Sequence, residues 1–238
     1  METAFEAQRR FVANASHELR TPLTTMRATL DVAIAKPAGV PPQVTELDAH
    51  LREDLDDADR LLESFLTLAR AQQGQLGEMR LIPLEPIITA ALATRASELA
   101  DKQIEIRAAT APVCVPGSET LLERMVENVI ENAVRYNQPH GFIDVACKLD
   151  DGRAVLIVDN GGPTLDERAV AALAQPFTRL GAERTHSPNG HGLGLSIVAA
   201  IAAAHSGKLE LHARPQGGLR ARLTLPGASL ATSAGARR

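Results

Sequence analysis

Apolar side chains recur at intervals of three and four along the first third of the chain. Phe11, Ala15, Leu19, Leu23, Met26, Leu30 and Ala33 form one series; Val44, Leu47, Leu51, Leu55, Ala58, Leu62, Phe65 and Ala69 form a second. Such spacing keeps the apolar positions on one side of an α-helix. Between the two series, Lys36-Pro37-Ala38-Gly39-Val40-Pro41-Pro42 carries the residues that stop a helix. The pattern therefore predicts long helices over residues 2–35 and 43–73, joined by a turn. A helical hairpin alone leaves half of each apolar stripe uncovered. A second copy would bury both in a four-helix bundle, so residues 1–73 are expected to form a homodimer. The acidic run Glu53-Asp54-Leu55-Asp56-Asp57-Ala58-Asp59 reads as a solvated helix face.

After a polar hinge over residues 74–79 the pattern changes. Residues 83–100 look helical, with Pro86 close to the first turn, and Ile104-Glu105-Ile106-Arg107 alternates as a strand does. Residues 113–115 form another short strand, and 118–136 a helix with Ser118 as its N-cap. Strands over 141–149 and 154–158 are joined by Asp150-Asp151-Gly152-Arg153, a good hairpin turn. A polar stretch with Gly and Pro, residues 161–192, precedes a helix over 193–204 and a closing hairpin of 208–213 with 220–225. Helices segregated from a mixed sheet predict an α/β sandwich over residues 80–226. The Ala/Ser/Gly/Arg tail, 227–238, is expected to be disordered.

Composition narrows the classes. The chain has 238 residues, 45% of them apolar and 23% charged, as in ordinary globular proteins. Aromatics are only 3%, with no Trp, which argues against a base-stacking platform for single-stranded nucleic acid. A net charge of −4 argues against sequence-independent binding to phosphate backbones, so no nucleic-acid partner is expected. Cys114 and Cys147 lack any CxxC spacing and read as two packed thiols. No apolar run is long enough to span a membrane and no signal peptide is visible, which predicts a cytoplasmic chain without membrane contact of its own. It could still be the interior end of a longer, membrane-anchored protein.

Three blocks carry candidate chemistry. In Ala15-Ser16-His17-Glu18-Leu19-Arg20-Thr21-Pro22-Leu23, an imidazole is followed by a carboxylate, and a proline inside the helix removes a backbone hydrogen bond nearby. In Glu127-Asn128-Val129-Ile130-Glu131-Asn132-Ala133-Val134-Arg135-Tyr136-Asn137, the residues Asn128, Asn132 and Arg135 fall at i, i+4 and i+7 and share one helix face. Amide oxygens beside a guanidinium suit a hydrated Mg²⁺ held against phosphates; a polar face turned to water is the plainer alternative. The third block joins Asp159-Asn160-Gly161-Gly162 to Gly190-His191-Gly192-Leu193-Gly194-Leu195. Asp159 ends a strand at a glycine turn, where a carboxylate can accept from an exocyclic amine. The later glycines lead into a helix, an arrangement that brings backbone N–H groups to phosphate. Neither a P-loop nor an HRD motif is present.

In this order the blocks resemble the catalytic core of bacterial two-component sensor histidine kinases, over roughly residues 5–226. Residues 15–23 resemble the H box, 127–137 the N box, 159–161 the G1 box, 176–180 the F box and 190–195 the G2 box. The resemblance implies a dimerisation and phosphoacceptor domain followed by an ATP-binding domain of the Bergerat (GHKL) fold. It implies that His17 accepts the γ-phosphoryl group of ATP, that Glu18 orients the imidazole and takes its proton, and that Thr21 positions a water for dephosphorylating a response regulator. Asn132 would ligate Mg²⁺ with Asn128 beside it, Arg135 would contact phosphate, and Tyr136 would pack on adenine. Asp159 would accept from the adenine amine. Gly161, Gly190, Gly192 and Gly194, with Leu193 among them, would shape a lid and phosphate cradle to which Phe177 and Arg179 also belong. The cognate response regulator would receive the phosphoryl group from His17.

The chain departs from the family pattern at Pro163, which stands at the second glycine position of the G1 box, at Leu180, where an aromatic is usual, and at Asn137, where Ser or Thr is common. Two alternatives remain at this level. One is a dimeric pseudokinase that binds nucleotide without transfer, supported only by Pro163. The other is a GHKL ATPase or anti-sigma-type serine kinase, which would lack the His-Glu-x-x-Thr-Pro helix.

Overall fold

The computed structural model describes residues 23–32, 42–72, 78–178 and 192–229. The chain divides into two compact units, Met1–Arg70 and Ala71–Arg238. In the first, helix α1 is described over residues 23–32 and α2 runs over Pro42–Gln72. Pro42 opens α2 because a first-turn position needs no N–H donor. The two helices run antiparallel. Arg27 on α1 pairs with Asp56 and, at 2.9 Å, Asp59 of α2, while Arg52 of α2 reaches Asp31 of α1 at 2.7 Å and Asp48 of its own helix at 2.8 Å. These are surface pairs, each worth at most about 1 kcal/mol, so they set register more than they stabilise. Met26, Val44, Leu47 and Leu51, members of the two predicted apolar series, remain exposed, as does Val32 outside them.

The second unit holds two sheets and a helical layer. The smaller sheet is antiparallel in the order β1 (Arg80–Pro83), β3 (Val113–Gly117), β8 (Ala228–Ser229). The larger has the order β2 (Glu105–Thr110), β4 (Phe142–Asp150), β5 (Arg153–Asn160), β7 (Leu219–Pro226), β6 (Lys208–Ala213), parallel only between β2 and β4. Ile143, Val145 and Cys147 of β4, Leu156 and Val158 of β5, and Ala221, Leu223 and Leu225 of β7 form one buried apolar face. Over it lie α5 (Glu119–Arg135) and α7 (Gly194–Ala204), which pack on each other, with α3 (Leu84–Thr94) against α5. On α5, Leu122, Met125, Val126, Val129, Ile130, Ala133 and Val134 are buried, and Leu121 is half-buried. The expected α/β sandwich is present.

Several elements differ from expectation. The helix expected over 83–100 starts with Leu84 and breaks at Arg95 (φ −102°, ψ 12°), giving α3 and α4 (Ala96–Asp101). At the break the Arg95 guanidinium joins Glu98 and Glu131, both at 2.8 Å. β1 has no alternating signature and exists through its pairing with β3. The expected disorder after Pro226 is corrected at its start: Ala228 pairs with Cys114 and Ser229 with Val113, because β3 otherwise offers an open edge. Residues 230–238 lie outside the described residues, as do residue 73 and residues 74–77 of the expected hinge. The polar stretch 161–192 contains a helix, α6 (Glu167–Ala172). No described helix is long and apolar enough to cross a membrane.

Candidate functional site

Helix α5 supplies the first wall of the site. Its burial pattern turns Val126, Val129, Ile130, Ala133 and Val134 into the core and leaves Asn128, Asn132 and Arg135 half-buried on another side. Asn128 donates from Nδ2 to the Arg124 carbonyl at 2.6 Å, which leaves its Oδ1 facing outward from the helix. The Asn132 amide makes no hydrogen bond among the described residues. Arg135 is held by Glu131 at 2.7 Å, and Glu131 also takes Arg95, so that guanidinium belongs to a local ion-pair network. Tyr136, half exposed, caps the helix, and its backbone N–H returns to the Asn132 carbonyl at 3.1 Å.

The N-terminus of α7 faces Asn128. A Cβ on Gly194 would stand 3.3 Å from Asn128 Oδ1, so only glycine brings this backbone so close without displacing the amide. Leu193, 2% exposed, anchors the turn by burying its side chain, and its carbonyl accepts from the Ser196 hydroxyl at 2.8 Å and the Ile197 N–H at 2.9 Å. The Ser196 hydroxyl is thus spent away from the cap. The first-turn N–H groups of Gly194, Leu195 and Ser196 have no intrahelical acceptors. Such an end favours an anion.

The segment leading to α7 is clasped at its base. Phe177 N–H donates to the Gly192 carbonyl at 3.0 Å. Both residues have positive φ, +62° at Phe177 and +69° at Gly192, and a Cβ on Gly192 would lie 3.1 Å from the Phe177 backbone. Phe177 itself is largely exposed. Arg179 and Gly190 lie between these ends, outside the described residues. His17, Glu18 and Thr21 also lie outside them.

The glycine turn after β5 closes the other side. Gly162 (φ +156°) sits where a Cβ would stand 2.8 Å from the Tyr136 carbonyl oxygen. A Cβ on Gly161 would lie 3.2 Å from Asn137 Oδ1. Asn137 is buried and donates to the Phe142 carbonyl at 2.9 Å while accepting from Gln138 N–H at 3.0 Å, so it ties the end of α5 to β4. The Pro163 carbonyl accepts from Gly218 N–H at 2.9 Å. Gly217 and Gly218, at φ +92° and +88°, let the β6–β7 hairpin press its backbone on this turn. Their part is invisible in the sequence blocks; the Gly-Gly pair between two strands was the available signal.

Asp159 is where the structure departs most from expectation. Strand β5 continues to Asn160 instead of ending at Val158. In its register Asp159 stands between Asp144 and Arg220, on the sheet face that also carries Lys148 and Arg222. Its carboxylate is bidentate to Arg220, at 2.8 and 2.5 Å, and that contact holds the guanidinium more firmly charged. The expected adenine contact is therefore turned away from the helical layer, with both oxygens engaged.

Comparison with known proteins places these observations. Two family models match the chain: His Kinase A (phospho-acceptor) domain over residues 7–74, and Histidine kinase-, DNA gyrase B-, and HSP90-like ATPase over residues 117–229. Sensor protein CutS of Streptomyces coelicolor is 40% identical over 227 residues, which cover 95% of this chain and 54% of CutS. Sensor protein QseC of Escherichia coli is 31% identical over 221 residues, covering 91% of this chain and 47% of its own. The chain thus spans about half the length of these curated relatives. The crystal structure of full-length ShkA in complex with AMPPNP shares the fold, with a TM-score of 0.77 at 24% identity over 92% of this chain and 46% of ShkA.

Proposed function

Because the chain belongs to the two-component sensor histidine kinase family, we propose that it uses ATP to phosphorylate itself on His17 and passes the phosphoryl group to an aspartate of a response regulator. The observation that carries the nucleotide half is the approach of Gly194 to Asn128: a bare helix N-terminus set against a helix-borne amide. Phosphates bound beside this contact would meet the N–H groups of α7 and a neutral oxygen donor of α5.

Mg²⁺ fits that donor set. Asn132 has an uncommitted amide, Asn128 presents an oxygen, and the described residues hold no cluster of three His, Cys, Asp or Glu that would favour another ion. A small hard cation keeps waters and phosphate oxygens as its remaining ligands and supplies charge neutralisation on the phosphates. The work of the protein is then positioning. Asn128 and Asn132 orient the phosphate end, α7 supplies backbone donors, and Tyr136 offers a ring for the base. The clasp between Phe177 and Gly192 holds the base of the lid. His17 contributes a ring nitrogen that forms the N–P bond as the β,γ-bridging P–O bond breaks and ADP departs. Glu18 takes the imidazole proton, and Thr21 positions a water for removing phosphate from the regulator. The exposed stripe of α1 and α2 supports a homodimer through the helical unit.

Incubation with γ-labelled ATP and Mg²⁺ tests the proposal. An acid-labile, base-stable label on the protein, lost in His17→Gln, is expected. A label that survives in His17→Gln, or none on the parent chain, would overturn it.

A further inference from the structure

We infer that Asn160, and not Asp159, is the residue that reads the base of the bound nucleotide. The inference rests on the nucleotide-binding function proposed above and concerns which side chain sets its specificity.

Strand register decides the matter. Asn160 pairs with Ile143 on one side and Leu219 on the other, two buried residues of the apolar face beneath the helices. Neighbours on a strand point to opposite faces, so Asn160 shares the helical side from which Asp159 is turned away. Asn160 is 3% exposed. Its Nδ2 donates to the Gly161 carbonyl at 2.7 Å, while its Oδ1 has no hydrogen-bond partner among the described residues. That oxygen is not sealed from solvent, so an incoming donor can reach it.

The neighbourhood is that of the proposed base. A Cβ on Gly162 would stand 3.9 Å from Asn160 Nδ2 and 2.8 Å from the Tyr136 carbonyl, so the amide and the ring-bearing end of α5 meet across this glycine. A free amide can present either end to a ligand, donor or acceptor. Here the bond to Gly161 commits the NH₂ group inward and leaves the oxygen outward. The site then offers an acceptor, which matches the exocyclic amine of adenine and opposes the carbonyl oxygen at the same position of hypoxanthine or guanine. A neutral amide thus does the reading that a carboxylate could have done, and Asp159 is left to join β5 to β7 through Arg220.

The test compares ADP with IDP, which differ in that amine, by calorimetric titration of the full chain in Mg²⁺. Parent protein is expected to prefer ADP. Asn160→Ala should bring the ADP-to-IDP affinity ratio down about tenfold, the worth of one such hydrogen bond. Asn160→Asp keeps an outward acceptor and should retain the preference. Asp159→Asn should leave the ratio unchanged. A ratio preserved in Asn160→Ala, or lost in Asp159→Asn, overturns the assignment while leaving nucleotide binding intact. Failure of the parent chain to bind ADP at all would instead overturn the functional proposal beneath it. A ratio, unlike an affinity, is insensitive to partial loss of folded protein, so a destabilised Asn160→Ala still reports.

Discussion

Single side chains at the rim of the ATPase unit do structural work that no motif announces. His205, at the C-terminus of α7, is buried with both ring nitrogens engaged: Nδ1–H donates to the Ile201 carbonyl at 2.8 Å and Nε2 accepts from the Ser118 N–H at 3.2 Å. The imidazole therefore satisfies the backbone N–H of Ser118 itself, while the Ser118 hydroxyl makes no capping bond at the start of α5. Gly117 is required beside it, since a Cβ there would strike the ring at 2.5 Å. Burial pushes the His205 pKa below the usual value, against a smaller opposing pull from the Ile201 carbonyl. The unfolded chain then takes up a proton before the folded one does. Stability from this group is full above about pH 6.5, the ordinary histidine value, and is lost as pH falls through the depressed folded value. Urea titrations between pH 7.5 and 5 should show that decline. His205→Gln should lose about 1–3 kcal/mol at pH 7.5 and show a flatter profile over the same window. An unchanged slope in the variant would remove His205 as the cause. Cys147 behaves as its lack of motif suggests, since burial, with Glu85 adding to it, pushes its thiol up to about 11.

Among the elements, α6 was hidden because its six residues lie in a stretch dominated by turn formers, and so short a helix leaves little periodicity. Its existence depends on partners. Asp166 caps it by accepting from Arg168 N–H at 2.9 Å, Glu167 accepts from Ala213 N–H at 2.6 Å and His212 at 3.0 Å, and Val170 packs with Leu195 and Leu219. These contacts fix α6 to β6 and to the first turn of α7. Asp166→Ala should cost about 1 kcal/mol, seen in chemical denaturation, with faster amide exchange at Val170 and Leu173 than elsewhere. Uniform exchange across the unit would show that the cap has no local role. Strands β1 and β8 were hidden for a related reason: four and two residues carry no alternation worth reading, and both exist because β3 offers two edges. The long helices and the Asp151-Gly152 hairpin were legible, because their causes are local: helical periodicity in one case, two positive φ angles (+47° and +69°) in the other.

At the scale of the molecule, the helical unit leaves Met26, Val44, Leu47 and Leu51 uncovered, more than a lone hairpin tolerates in water. Replacing Leu47 and Leu51 together by Glu should convert a dimer to a monomer in light scattering while ADP binding by the other unit is unchanged. A persistent dimer would place the interface elsewhere. The amino-acid sequence by itself determined the division into a helical hairpin and an α/β domain, the helix carrying Asn128, Asn132 and Arg135, and the glycines before α7, because each follows from periodicity or from a local backbone requirement. Only the tertiary structure decided which of two adjacent polar residues, Asp159 or Asn160, looks toward the helices. Side chains alternate along a strand, so shifting the pairing by one position exchanges the faces. That register is set by Ile143, Leu219 and the other buried members of neighbouring strands, far away along the chain.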